Sequence, residues 1–141
     1  MTTTSTIIAQ IAKDLVAHCN TEHEDIIAHD CALWDKHFAP DFISIEGDGK
    51  TYQGRDAMIA KYKEWQASTK MHSCKVTGPF LGQDSFSVIF EIDMESNTGQ
   101  FPRMTMQEVA IYTVTNGKIT KEEFCYPCQD CQDCQDCQDC E

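Results

Sequence analysis

Positive charge is what this chain has least of. Eleven Lys and Arg stand against 23 Asp and Glu, for a net charge of −12. Such a chain repels phosphate backbones, which argues against a nucleic-acid partner. A long apolar run is also missing. The opening stretch "MTTTSTIIAQIAKDLVAHC" has no basic start, and Lys13 and Asp14 interrupt its apolar residues. It reads neither as a signal peptide nor as a membrane span, so a cytoplasmic location without a membrane partner is expected. Thiols stay reduced in that compartment, so the nine cysteines do not read as a disulfide framework. Cys19, Cys31 and Cys74 sit within patterned segments and read as small hydrophobes.

The other six cysteines recur at every third position from Cys125 to Cys140, in "CYPCQDCQDCQDCQDCE". This repeat has no apolar periodicity and cannot bury a core, so it is expected to be disordered when alone. Its five acids account for part of the negative charge and leave residues 1–124 at −7. Cys-x-x-Cys pairs can chelate zinc or cuprous ion as thiolates, which makes Cys128, Cys131, Cys134 and Cys137 the metal candidates. A perfect tandem repeat without histidines or structured turns is a weaker signal than one isolated pair. The expected organisation is therefore a domain over 1–126 and an appended tail over 127–141, with no cofactor required. The length of 141 residues suits one domain with a single core.

Within the domain the apolar period changes once. Ile8, Ile11, Ala12, Leu15, Val16 and Cys19 form a helical stripe. Thr21 with Glu24 fits a capping box opening a second helix, which carries Ile27, Cys31, Trp34 and Phe38 and ends near Pro40. In "DFISIEGDGKTYQG" the residues alternate, with Ile43 and Ile45 opposite Phe42, Ser44 and Glu46, and Gly47-Asp48-Gly49 supplies a hairpin turn. "RDAMIAKYKEWQAS" reads as a third helix with Met58, Ile59, Tyr62 and Trp65 inward. Strands follow at about 71–80, 85–95, 103–115 and 118–126, the last pair joined by Asn116-Gly117, a two-residue hairpin signal. Helices first and an antiparallel meander after define an α+β domain: a curved antiparallel sheet, cone-shaped, wrapped by three helices.

The inner face of such a cone is filled by side chains or by a ligand. Alternation places His72, Cys74 and Val76 on one face. It groups Val88, Phe90, Ile92 and Met94, then Met104, Met106, Glu108, Ala110 and Tyr112, and finally Glu122, Phe124 and Tyr126. Glu108 among methionines and a tyrosine would be pushed toward the neutral acid, the condition for a general acid near neutral pH. Glu46 would approach the mouth of the cavity, and His72 could be a third member. Each has an ordinary reading as well: a surface carboxylate, a paired carboxylate, an exposed histidine. The expected ligand contacts are Trp34, Phe38, Tyr62, Phe90, Met106, Tyr112 and Phe124.

Two longer stretches, "LWDKHFAPDFISIEGDGKTYQGRDAMIAKYKEW" and "MTMQEVAIYTVTNGKITKEEFCY", resemble the SnoaL-like branch of the ketosteroid-isomerase and nuclear-transport-factor-like superfamily. The shared features are an aromatic before "F-x-P-D-F", the "Y-x-G-R-D-A" entry to the third helix, and the closing "N-G-K-I". The resemblance covers about 7 to 126. It implies a cystatin-like cone, usually a homodimer through the outer sheet face, with a pocket for a small apolar or carbonyl-containing molecule. It also implies a carboxylate base on the first strand, matched by Glu46, and an acid on the penultimate strand, matched by Glu108. The family's helix-one tyrosine has no counterpart here. A His and acid pair of the cyclase kind would be His72 with Glu108. Two functions stay open: proton transfer beside a carbonyl, as in isomerases, cyclases and dehydratases, or a non-catalytic binding or dimerisation module with a thiol-rich metal-binding tail.

Overall fold

A computed structural model describes residues 3–126, and the expectations for the cysteine repeat lie outside them. Helix α1 runs Thr4–Cys19, α2 Ile26–His37 and α3 Gly54–Ser68. The strands are β1 Phe38–Ile45, β2 Thr51–Gln53, β3 Thr69–Leu81, β4 Ser85–Ser96, β5 Met104–Thr115 and β6 Lys118–Cys125. They form one curved, unclosed sheet in the order β2-β1-β6-β5-β4-β3. The α+β class and the antiparallel meander β3 to β6 stand as expected. One neighbour differs, since β1 joins β6 in parallel, with Ser44 beside Glu122. That pairing makes β6 a central strand. The turn at Asn116 (φ 52°) and Gly117 (φ 79°) keeps both residues left-handed, as a two-residue hairpin requires.

Helix α1 buries the expected stripe, Ile8, Ile11, Ala12 and Leu15. Just past its end, Asn20 bonds β3 with its side chain, donating to the Val76 carbonyl at 2.9 Å and accepting from the Val76 amide at 2.8 Å. Because β3 lies at the sheet edge, this amide satisfies backbone groups that no strand covers.

The second helix begins later than the capping-box reading places it. Thr21 donates back to the Ala17 carbonyl at 2.7 Å, and Asp25 is the N-cap, accepting from the Ile27 and Ala28 amides. A carboxylate one turn further on takes the orphan amides. The helix stops at His37, so Pro40 belongs to β1 and not to the helix end. Its buried residues are Leu33, Trp34 and His37, and His37 meets Asp14 of α1 at 3.0 Å. That bond and those from Gln10 and Lys36 outweigh the effect of burial and hold Asp14 below its ordinary value.

The inner sheet face changes character along its length. At Phe86, Val88, Ala110 and Ile119 it is closed against the helices, with Tyr112 at the boundary. Phe86 and Tyr112 stack with centroids 5.0 Å apart. Further along the same strands, at Phe90, Ile92, Met106 and Glu108, it opens into a cavity.

Candidate functional site

The cavity measures about 430 Å³ and is walled by residues of all three helices and of β1 to β6. All seven expected contacts line it: Trp34, Phe38, Tyr62, Phe90, Met106, Tyr112 and Phe124. Glu46 and Glu108 also line it; His72 does not. The β3–β4 register shifts between Met71 and Ser73, and this bulge turns His72 away while Met71 and Cys74 face the cavity. His72 pairs instead with Glu95 at 2.6 Å, so the expected His72–Glu108 pairing is absent. A bulge adds one residue and breaks the alternation from which the face was read.

Two polar groups that the pattern alone did not single out complete the arrangement. Lys61 lies on α3 between Met58 and Trp65, in the same helical stripe. A charged residue within that stripe was the available signal. Its ammonium pairs with Glu46 and lies 5.2 Å from the Tyr52 ring centroid and 5.1 Å from that of Phe124. Burial lowers its pKa, against the pull of Glu122 and Glu108. Glu122, on the central strand between Ser44 and Tyr112, is only 4% exposed. Its alternation with Phe124 and Tyr126 was legible, but its depth was not.

These carboxylates differ in their state. Glu46 is taken up by Lys61 and by the Tyr126 hydroxyl, which donates to it. Glu108 is pushed up to about 7, chiefly by burial and also by Glu122, with Lys61 pulling the other way. Burial likewise pushes Glu122 up to about 7, offset in part by Lys61 and by the nearby Ser44 hydroxyl. Glu122 Oε1 and Ser44 Oγ are buried side by side, and neither makes a hydrogen bond of ordinary geometry among the described residues. The Cys19 and Cys74 thiols at the wall are held above their ordinary range by burial, Cys74 at about 11, and so stay protonated.

Tyr126 rests on Gly47. A Cβ there would lie 2.3 Å from the ring, so no other residue permits this approach. Gly47→Ala is expected to displace the ring and free Glu46 from its phenol. Burial holds that phenol at about 12. In the variant it should titrate nearer its ordinary 10, which a spectrophotometric tyrosine titration would show.

A second cluster flanks the cavity. His18 meets Asp30 at 3.1 Å, His29 bonds the His18 carbonyl at 2.9 Å, and the His18 and His29 rings stack at 3.6 Å. Asp30, His23 and His29 face the cavity. His18, His29 and Asp30 are close enough to hold a metal ion, but the two rings are within 13° of parallel. In-plane nitrogen lone pairs of stacked rings run side by side and do not converge on one ion.

Fold and site together define a class: an open α+β cone whose apolar cavity carries several carboxylates and one lysine. The sequence profile of the SnoaL-like domain matches residues 11–126, and the chain belongs to that family. A candidate SnoaL-like polyketide cyclase from Mesorhizobium loti has 33% identity and a TM-score of 0.71, with 84% of this chain and 98% of that one covered. A Catenulispora acidiphila protein with a ketosteroid isomerase-like fold, in complex with trimethylamine, has 16% identity and a TM-score of 0.62, with 83% and 85% covered. An M. tuberculosis epoxide hydrolase has 10% identity and a TM-score of 0.61, with 89% and 82% covered. The last two show the fold alone. No protein among the curated sequences matches significantly.

Proposed function

We propose that the cone binds a small organic molecule and moves a proton at a carbon beside its carbonyl, with Glu108 as the proton carrier. The observation that carries this reading is the Glu108 carboxyl at the cavity wall beside Phe90, Met106 and Tyr112, where burial pushes it up to about 7. Such a group is divided between acid and base at neutral pH, which suits both taking and returning a proton. In the forward step the Glu108 carboxylate removes the proton and becomes the acid. The electron pair moves to the carbonyl oxygen, and the enolate collapses as Glu108 returns the proton to carbon. Lys61 is the cation available to the developing oxygen charge, in place of the tyrosine that helix one lacks. Glu46 is the poorer base, because Lys61 and Tyr126 already occupy it. It positions Lys61.

The same reading includes a cytoplasmic homodimer through the outer sheet face, where Ile43 is 38% and Val109 37% exposed. Sedimentation at two concentrations would test the dimer. No described helix is long and apolar enough to cross a membrane.

The activity is tested by incubating the chain with a panel of small ketones in deuterated water and following loss of the α-proton signal by NMR. Exchange is expected above the buffer rate, rising with pH through about 7 as Glu108 ionises. Glu108→Gln is expected to lower it by about 10²–10³. Exchange unchanged in that variant removes Glu108 from the reaction. No exchange with any ketone moves the weight to a non-catalytic binding module.

A further inference from the structure

Around the cavity stand Asp30, Glu46, Glu64, Glu108 and Glu122 against Lys61 alone among Lys and Arg. Lys61 pairs with Glu46 and acts on Glu108 and Glu122 only through space, and Asp30 bonds His18. Glu108 and Glu122 are left without a hydrogen-bonded cation among the described residues. Glu122 is 4% exposed, and its Oε1 makes no hydrogen bond of ordinary geometry among the described residues, the neighbouring Ser44 hydroxyl being the one donor close enough to act on it. Buried acceptors are nearly always satisfied, so a carboxyl at the wall of a cavity with a single hydroxyl beside it points to a further donor that arrives with a ligand. The surrounding walls are aromatic, and ring faces attract cations. Lys61 shows that attraction already at work, with its ammonium near both Tyr52 and Phe124.

We propose that the molecule filling the cone carries a protonated amine, whose N–H groups are accepted by Glu122 while its apolar body lies against the aromatic walls. This narrows the proposed function to a substrate class and rests on its claim that the cone is a binding site. It does not rest on the proton transfer. The same charges turn away anions, and a neutral molecule of equal shape has no ammonium to offer Glu122 and the unpaired Glu108.

The test uses the full chain near neutral pH and three probes of one shape and different charge: benzylamine, benzyl alcohol and benzoate. Calorimetry or ligand-observed NMR reads their affinities. Benzylamine, protonated in solution, is expected to bind at least about tenfold more tightly than benzyl alcohol, with benzoate not detected. Glu122→Gln is expected to erase the preference while benzyl alcohol is still bound, which shows that the cavity is intact. Benzyl alcohol binding as well as benzylamine, a preference for benzoate, or no binding of any probe overturns the proposal, and the wild-type chain alone decides this. A preference that survives Glu122→Gln overturns the assignment to Glu122. If α-proton exchange of neutral ketones persists without charge preference, only this inference fails. If the preference stands and exchange is absent, the cone is an amine-binding pocket without catalysis.

Discussion

At about pH 8, Glu122→Gln is expected to make the domain more stable than the wild type, by up to about 3 kcal/mol. The carboxyl ionises at 4.5 in an ordinary setting and at about 7 here. Between those values the unfolded chain releases a proton that the folded chain keeps, so stability falls as pH rises and has been lost above about 7. The amide has no charge to bury. Its advantage should therefore be absent below about pH 4.5 and complete above about 7, a window set by the raised carboxyl. Asp14, held below its ordinary 3.8, acts with the opposite sign and at lower pH, so the two effects separate. Urea unfolding at about pH 4 and pH 8 measures this. An equal gain at both would show that ionisation is not the cause. A stabilising substitution that also abolishes ligand preference would identify Glu122 as a residue kept for function at the expense of stability.

Phe42→Ala is expected to cost about 3–5 kcal/mol. Phe42 is 1% exposed and packs against Phe38 at 4.8 Å and Trp34 at 6.1 Å between ring centroids. It is a support behind the cavity, since Trp34 and Phe38 line the cavity and Phe42 does not. Its removal leaves a hole that those two rings can enter only by abandoning the wall. The variant should unfold at lower denaturant with an unchanged m-value and should bind benzylamine and benzyl alcohol equally less well. A cost below about 1 kcal/mol would mean that the helices collapse onto the gap.

The α+β cone was legible because periodicity and turn chemistry are local. The stripe of Ile8, Ile11 and Leu15 defines α1, and Asn116-Gly117 defines the final hairpin. Glu108 was legible because strand alternation put it among Met106 and Tyr112, and all three face the cavity. The same rule failed at His72, where a bulge broke the alternation. The capping-box reading failed at the start of α2, where Asp25 and not Thr21 accepts from the first amides.

The sequence by itself determined the order of the elements, the inner face of the strands without a bulge and the excess of acid over base, since these follow from neighbours along the chain. Tertiary structure alone decided which acids lost their water and which gained a cation. Glu122 is deep because β1 pairs with β6 in parallel and makes its strand central. Glu46 is engaged because α3 brings Lys61 across to it. Burial and charge pairing arise between residues distant in sequence, and it is these that set the protonation of a carboxylate.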